Sequence, residues 1–168
     1  NNIQDANAAL QIVAEFDEPF VVGLKHMNPC GAAVGKDVVD AWTKAYNADS
    51  VSIFGGIVAT NQTITKEVAL LMKPIFLEVI LAPHFDEDAI AVFEKKKNIR
   101  LIEVNMTKDY KKTKHMVAVA GGLLVQDADN YCTTKEITKE MNVTNTAPTD
   151  AQVSDMNFAW KIVKHVKS

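Results

Sequence analysis

The sequence predicts an α/β domain of three layers, with helices on both faces of a largely parallel sheet. Three observations carry this. The runs at 20–24, 75–82 and 116–126 are nearly all apolar, the signature of strands buried on both faces. Amphipathic stretches with helix-start signals alternate with those runs. Glycine, proline and polar clusters mark the joints between them. At 168 residues and 48% apolar composition, the chain has the size of a single domain, residues 1–168, with a sizeable core.

Asp5 to Glu15 carries Ala8, Leu10, Ile12 and Val13, with Phe16 just beyond, and reads as an amphipathic helix. Pro19 separates it from a strand over 20–25. Lys36 to Asn47 places Val38, Val39, Trp42, Ala45 and Tyr46 on roughly one side of a helix. Ser52 to Thr60 is β-rich but interrupted by Gly55-Gly56. Thr65 to Lys73 is a short helix with Thr65 as cap and Ile64 and Ala69 at hydrophobic-staple spacing. Ile75 to Ala82 is a strand containing one acid, Glu78, and Pro83 ends it. Asp86 caps a helix to about Lys97, with Phe85 and Ile90 at staple spacing. Ile99 to Val104 is a strand, and 105–114 is a polar, basic connection. Met116 to Gln126 reads as one further strand broken by Gly121-Gly122, able to pair antiparallel because the preceding connection is short for a helical crossover. Thr149 and Gln152 fit a capping box that opens a last helix, which reads on through Ser168 without a stop signal.

Net charge is −3, which does not suggest a binder of phosphate backbones. No apolar run approaches the roughly 20 residues a membrane span needs. The start, Asn1-Asn2-Ile3-Gln4-Asp5, lacks a signal peptide's basic and apolar regions, and with the helical last residues it gives the chain the look of a piece of something longer. Cys30 and Cys132 lie far apart and form no CxxC pair, so a reducing, cytoplasmic setting is expected.

The segment of most chemical interest is Lys25-His26-Met27-Asn28-Pro29-Cys30-Gly31, directly after the apolar strand. An Asn-Pro-x-Gly turn is expected at 28–31, with Asn28, Pro29 and Gly31 as its support. Lysine beside histidine supplies a cation next to a base. The ammonium disfavours a second positive charge on His26, and it can stabilise an oxyanion. Neighbours in a strand point to opposite faces, so a bend is needed for both to reach one substrate. The plain alternative is a turn histidine and a surface lysine. Pro29-Cys30 matches half of a zinc-deaminase signature, but no His-x-Glu precedes it and Ala33 stands where the second cysteine belongs, so no metal site is expected. Phe54-Gly55-Gly56 marks either a bulge or a close ligand approach. Glu78, in an otherwise apolar strand, needs a partner or a ligand. The Lys95-Lys96-Lys97 run suits a helix C-terminus or a phosphate contact.

The segment Leu24-Lys25-His26-Met27-Asn28-Pro29-Cys30-Gly31-Ala32-Ala33-Val34-Gly35 resembles the Lys-His motif of the AICAR transformylase family. Further segments are similar, in the family's order: Ser52-Ile53-Phe54-Gly55-Gly56, Glu78-Val79-Ile80-Leu81-Ala82-Pro83, Lys95-Lys96-Lys97-Asn98-Ile99-Arg100, Gly121-Gly122-Leu123-Leu124-Val125-Gln126-Asp127 and Ala159 through Ser168. The resemblance implies the first lobe of a formyltransferase domain, a cytidine-deaminase-like α/β/α core with a mostly parallel or mixed sheet. It implies transfer of a formyl group from 10-formyltetrahydrofolate, as co-substrate, to the 5-amino group of AICAR, an imidazole carboxamide ribonucleotide, in purine biosynthesis. In such proteins an IMP cyclohydrolase accompanies this activity.

By the same resemblance His26 is the proton acceptor and Lys25 the transition-state cation. Phe54 and Gly55 contact the nucleotide, Glu78 contacts AICAR, and Lys97 lies near the phosphate. No metal is implied, nor any nucleic-acid or membrane partner. The family works as a homodimer. It also has an Arg-Tyr pair before the first matched segment, and a second lobe after the last with most of the folate site; neither is in this sequence, so little turnover is expected of this chain alone. Two other readings stand beside this one: a zinc-independent nucleotide-binding or oligomerisation module, and a deaminase-like hydrolase.

Overall fold

The computed structural model describes residues 2–106, 114–129 and 136–167. They fall into two compact units, Asn1–Met106 with His165–Ser168, and Thr107–Lys164. The first unit holds the sheet that the apolar runs predict. Its elements are α1 (Asn2–Val13), β1 (Phe20–Lys25), β2 (Asn28–Val34), α2 (Val38–Ala48), β3 (Gly56–Thr60), α3 (Lys66–Met72), β4 (Leu77–Ala82), α4 (Glu87–Phe93) and β5 (Arg100–Glu103).

The five strands lie in the order β2-β1-β3-β4-β5. β3, β4 and β5 are parallel, whereas β1 runs antiparallel to both β2 and β3. The sheet is therefore mixed, because β1 and β2 are joined by a turn too short for a crossover. Alternation along the strands sends side chains to two cores. Val21, Val58 and Ile80 pack with Trp42, Ala45, Val68, Met72, Ala89 and Phe93, under α2, α3 and α4. On the other face α1 covers β1, β3 and β4, and its Ala9, Ile12 and Val13 are buried along with Phe20, Val22, Ile57 and Leu81. Phe16 stacks on Phe20 at 4.0 Å between ring centroids. Helices thus cover both faces, giving the three-layer α/β/α arrangement expected.

Helix ends differ in detail from the sequence signals. Asp37 caps α2, its carboxylate accepting from the Asp40 N–H at 2.8 Å. Thr65 and Asp86 occupy N-cap positions, yet neither side chain accepts a capping bond. Ile64 and Ala69 are both fully buried, as a staple requires; Ile90 is 48% exposed, and α4 is instead anchored by Ala89 and Phe93.

In the second unit the single strand expected over 116–126 is two strands. β6 (Lys114–Val119) and β7 (Gly122–Asp127) pair antiparallel, with Val119 opposite Gly122. The reversal falls on Ala120-Gly121, where Gly121 has φ +80°, so the break at Gly121-Gly122 is a hairpin turn with Gly122 opening β7. A 3₁₀ turn at Lys139–Met141 precedes α5 (Asp150–Val163). The Thr149/Gln152 capping box is formed in both directions. The last helix does not run through residue 168: it ends at Val163 with Lys164 as its cap. Residues 107–113 of the expected polar connection, Cys132 and Ser168 lie outside the described residues.

Candidate active site

Topology brings the sequence-singled residues to one edge of the five-stranded sheet. β1 ends there at Lys25, while β2, β3, β4 and β5 all begin there, at Asn28, Gly56, Leu77 and Arg100. The loops entering β3, β4 and β5 carry Phe54-Gly55, Phe76 and Lys96-Lys97. This rim is where Lys25, His26, Phe54, Gly55, Glu78 and Lys97 reside.

The turn itself lies three residues earlier than the Asn28-Pro29-Cys30-Gly31 expected, spanning 25–28. Lys25 pairs with Asn28, so His26 and Met27 form a two-residue hairpin turn, and Asn28, Pro29 and Gly31 belong to β2. Both turn residues are left-handed, with φ of 53° at His26 and 63° at Met27, the sign a type I′ turn demands at both positions. Such backbone costs on the order of 1–3 kcal/mol for each non-glycine residue and persists only where the surroundings impose it. Two contacts do so. The Met27 N–H donates to Asp5 Oδ1 at 2.7 Å, and Asn28 Oδ1 accepts from the Lys167 N–H at 2.7 Å. The left-handed step at His26 supplies the bend that adjacent strand residues would otherwise lack.

β2 is an edge strand, which accommodates Pro29 without loss of a ladder bond. Cys30 is the extra residue of a bulge opposite Gly23 and Leu24, and its Sγ donates to the Gly23 carbonyl at 3.3 Å. Burial pushes its thiol above the ordinary cysteine value. Gly31 is a packing glycine: a Cβ there would lie 2.1 Å from the Ala45 carbonyl oxygen of α2.

Lys25 and His26 are both exposed on the rim. Lys25 Nζ donates to the Phe54 carbonyl at 3.1 Å, tying the end of β1 to the loop before β3. An ammonium has three donors, so two remain for a ligand. Phe54 is 60% exposed, and its ring tilts against Phe76 at 5.4 Å. Gly55 has φ +72° and donates its N–H to the Phe76 carbonyl at 2.8 Å, a conformation that favours glycine. Glu78 is half-buried at the register shift of β4 against β3, and its carboxylate has no hydrogen bond or ion pair among the described residues. Lys97 is exposed in the turn before β5 and, among the described residues, makes no hydrogen bond or ion pair with the others. Its neighbour Lys96 is the anchored one, Nζ donating to the Ile75 carbonyl at 2.7 Å.

Sequence reasoning missed Asp5, Phe76, Lys96 and the Lys167 backbone. Asp5 reads only as a first-turn helix acid, and backbone donors carry no sequence signal. Among the described residues no group of three or more His, Cys, Asp or Glu side chains is placed to hold a metal ion, and no helix is long and apolar enough to cross a membrane.

Comparison with known proteins bears on this rim. The family model described as AICARFT/IMPCHase bienzyme matches residues 1–168. Among curated proteins, the bifunctional purine biosynthesis protein PurH of Anoxybacillus flavithermus is 52% identical over 168 residues, covering 100% of this chain and 32% of that protein. The proteins of the same name from Bacillus cytotoxicus and Bacillus cereus are each 51% identical over the same 168 residues, again 32% of their length. The chain therefore spans about a third of the relatives it matches.

Proposed function

The chain belongs to the AICARFT/IMPCHase bienzyme family, and from that premise we propose that it supplies the transformylase chemistry, formyl transfer from 10-formyltetrahydrofolate to the 5-amino group of AICAR. The observation that carries the reading is the rim, where β1 ends at exposed Lys25, exposed His26 opens the left-handed turn directly after it, and Lys25 is fastened to the Phe54-Gly55 loop.

The AICAR amine is a weak nucleophile because its lone pair is delocalised into the ring and toward the carboxamide. Its nitrogen attacks the formyl carbon, and the new C–N bond places negative charge on the formyl oxygen. Lys25, with donors to spare, stabilises that oxyanion. His26 as neutral imidazole accepts the amine proton. Collapse breaks the bond between the formyl carbon and N10 of the folate, and N10 leaves with the proton that His26 accepted. Phe54 and Gly55 bound the nucleotide, Glu78 accepts hydrogen bonds from AICAR, and Lys97 faces the phosphate. A half-buried Glu78 carboxylate with no hydrogen bond or ion pair among the described residues supports that assignment.

The remaining groups, most of the folate contacts among them, belong to the longer protein, working as a cytoplasmic homodimer that also carries IMP cyclohydrolase. No metal takes part in this scheme. The 168-residue chain alone has little turnover.

In the full-length protein, His26→Ala lowers formyl transfer by about 10²–10⁴, with AICAR binding and IMP cyclisation nearly unchanged. Intact transfer, or loss of cyclisation in place of transfer, refutes the assignment.

A further inference from the structure

We propose that Asp5 is a positioning residue that aims His26 by holding the Met27 amide, an inference that rests on His26 being the proton acceptor. The turn has an unusual composition for its shape. Two-residue hairpins with positive φ at both central positions ordinarily use Asn-Gly or Asp-Gly; here they use His26 and Met27, at 53° and 63°. Neither residue prefers that conformation, so an outside contact must select it.

In such a turn the N–H groups of the two central residues point away from the hairpin. The Met27 N–H is taken by Asp5 Oδ1 at 2.7 Å, a charge-assisted bond from the first turn of α1. α1 is a firm base, since it packs on β1, β3 and β4 with Ala9, Ile12 and Val13 buried. Fixing the Met27 peptide fixes the peptide plane that follows His26, and so the direction in which the imidazole leaves the backbone. Asp5 thereby acts on His26 through the turn and touches no reacting atom.

The test uses the full-length protein for kinetics and this chain for amide exchange. Asp5→Ala lowers kcat for formyl transfer on the order of 10²-fold, the scale of a small misplacement of a reacting group, while KM for AICAR moves little. Asp5→Ser, too short to reach Met27, does the same and gives a second variant lacking the bond. Asp5→Asn keeps an acceptor oxygen at the same reach and retains most of the activity. Adding Met27→Gly to Asp5→Ala restores much of the loss, since glycine adopts the left-handed conformation freely. In the chain itself, Met27 amide exchange quickens in Asp5→Ala while that of Val22 does not.

Parental kcat in both Asp5→Ala and Asp5→Ser, in a protein that His26→Ala inactivates, overturns the role of Asp5 and leaves that of His26 standing. Loss in Asp5→Asn equal to that in Asp5→Ala, without rescue by Met27→Gly, also overturns it. Full transfer by His26→Ala removes the catalytic reading and this inference with it.

Discussion

Replacing Gly31 by alanine tests how tightly α2 is seated on the strand that leaves the turn. The added methyl would lie 2.1 Å from the Ala45 carbonyl oxygen, 3.1 Å from its carbon and 3.7 Å from Ala48 Cβ. Ordinary contact distances require β2 and α2 to separate by on the order of 1 Å. The obstacle is helix backbone, so no side-chain rotation relieves it. The same helix buries Val38, Ala41, Trp42 and Ala45, and shifting it loosens that packing along its length. Overpacking typically costs about 1–3 kcal/mol, and a backbone obstacle places Gly31→Ala near the top, ~3 kcal/mol. With a urea m-value of about 1–3 kcal/mol/M, the midpoint should fall by roughly 1–3 M. Trp42, 2% exposed on α2, reports the transition by fluorescence in a Trp160→Phe background. A midpoint within about 0.3 M of the parent would show that the close approach of α2 to β2 is not what the glycine serves.

Gly55→Ala meets only the Phe76 ring at 3.6 Å, so its cost is conformational, about 1–2 kcal/mol from the left-handed backbone, read by the same denaturation. Cys30 should react slowly with iodoacetamide at neutral pH in a Cys132→Ser background: a raised thiol pKa leaves less thiolate, and labelling should accelerate only at pH above that needed by a free thiol. Thr149→Ala removes the side-chain half of the capping box, the acceptor for the Gln152 N–H, and should cost α5 about 1 kcal/mol, seen as lost helical circular dichroism at intermediate urea.

β1 and β4 were legible because their apolar runs reflect burial on both faces; β5, also expected as a strand, is an edge strand and mostly exposed, in keeping with Arg100 and Glu103 in its run. The residues gathered on the rim were legible for another reason: lysine beside histidine, paired glycines and a lone acid interrupt apolar patterns. The turn at His26-Met27 was not legible. Neither residue is a turn former, and the conformation is imposed by Asp5 and Lys167, far away in sequence. Asn28-Pro29 carried the local turn signal and drew the expectation to itself, although the edge position of β2 lets that pair sit in a strand. Gly121-Gly122 read only as a break within one strand, since glycine weakens a strand without saying whether the chain reverses there. α5 stops at Val163 without Gly or Pro; His165 beyond it lies 3.4 Å from the buried Glu15 carboxylate, a pairing only the folded chain reveals.

The direction of the helices sets the electrical character of the rim. α2, α3 and α4 each run back toward the start of the next strand, so their carbonyl ends converge there, while α1 presents its amide end. Each carbonyl end bears about half a negative charge. A phosphate at this edge therefore meets mostly unfavourable dipoles, unlike one cradled by the helix amides of a dinucleotide fold. Lys25, Lys73, Lys96 and Lys97 lie at this edge and offset that field. An anion bound at this edge would be held by lysine ammonium groups rather than by peptide amides, and its binding should weaken steeply as ionic strength rises.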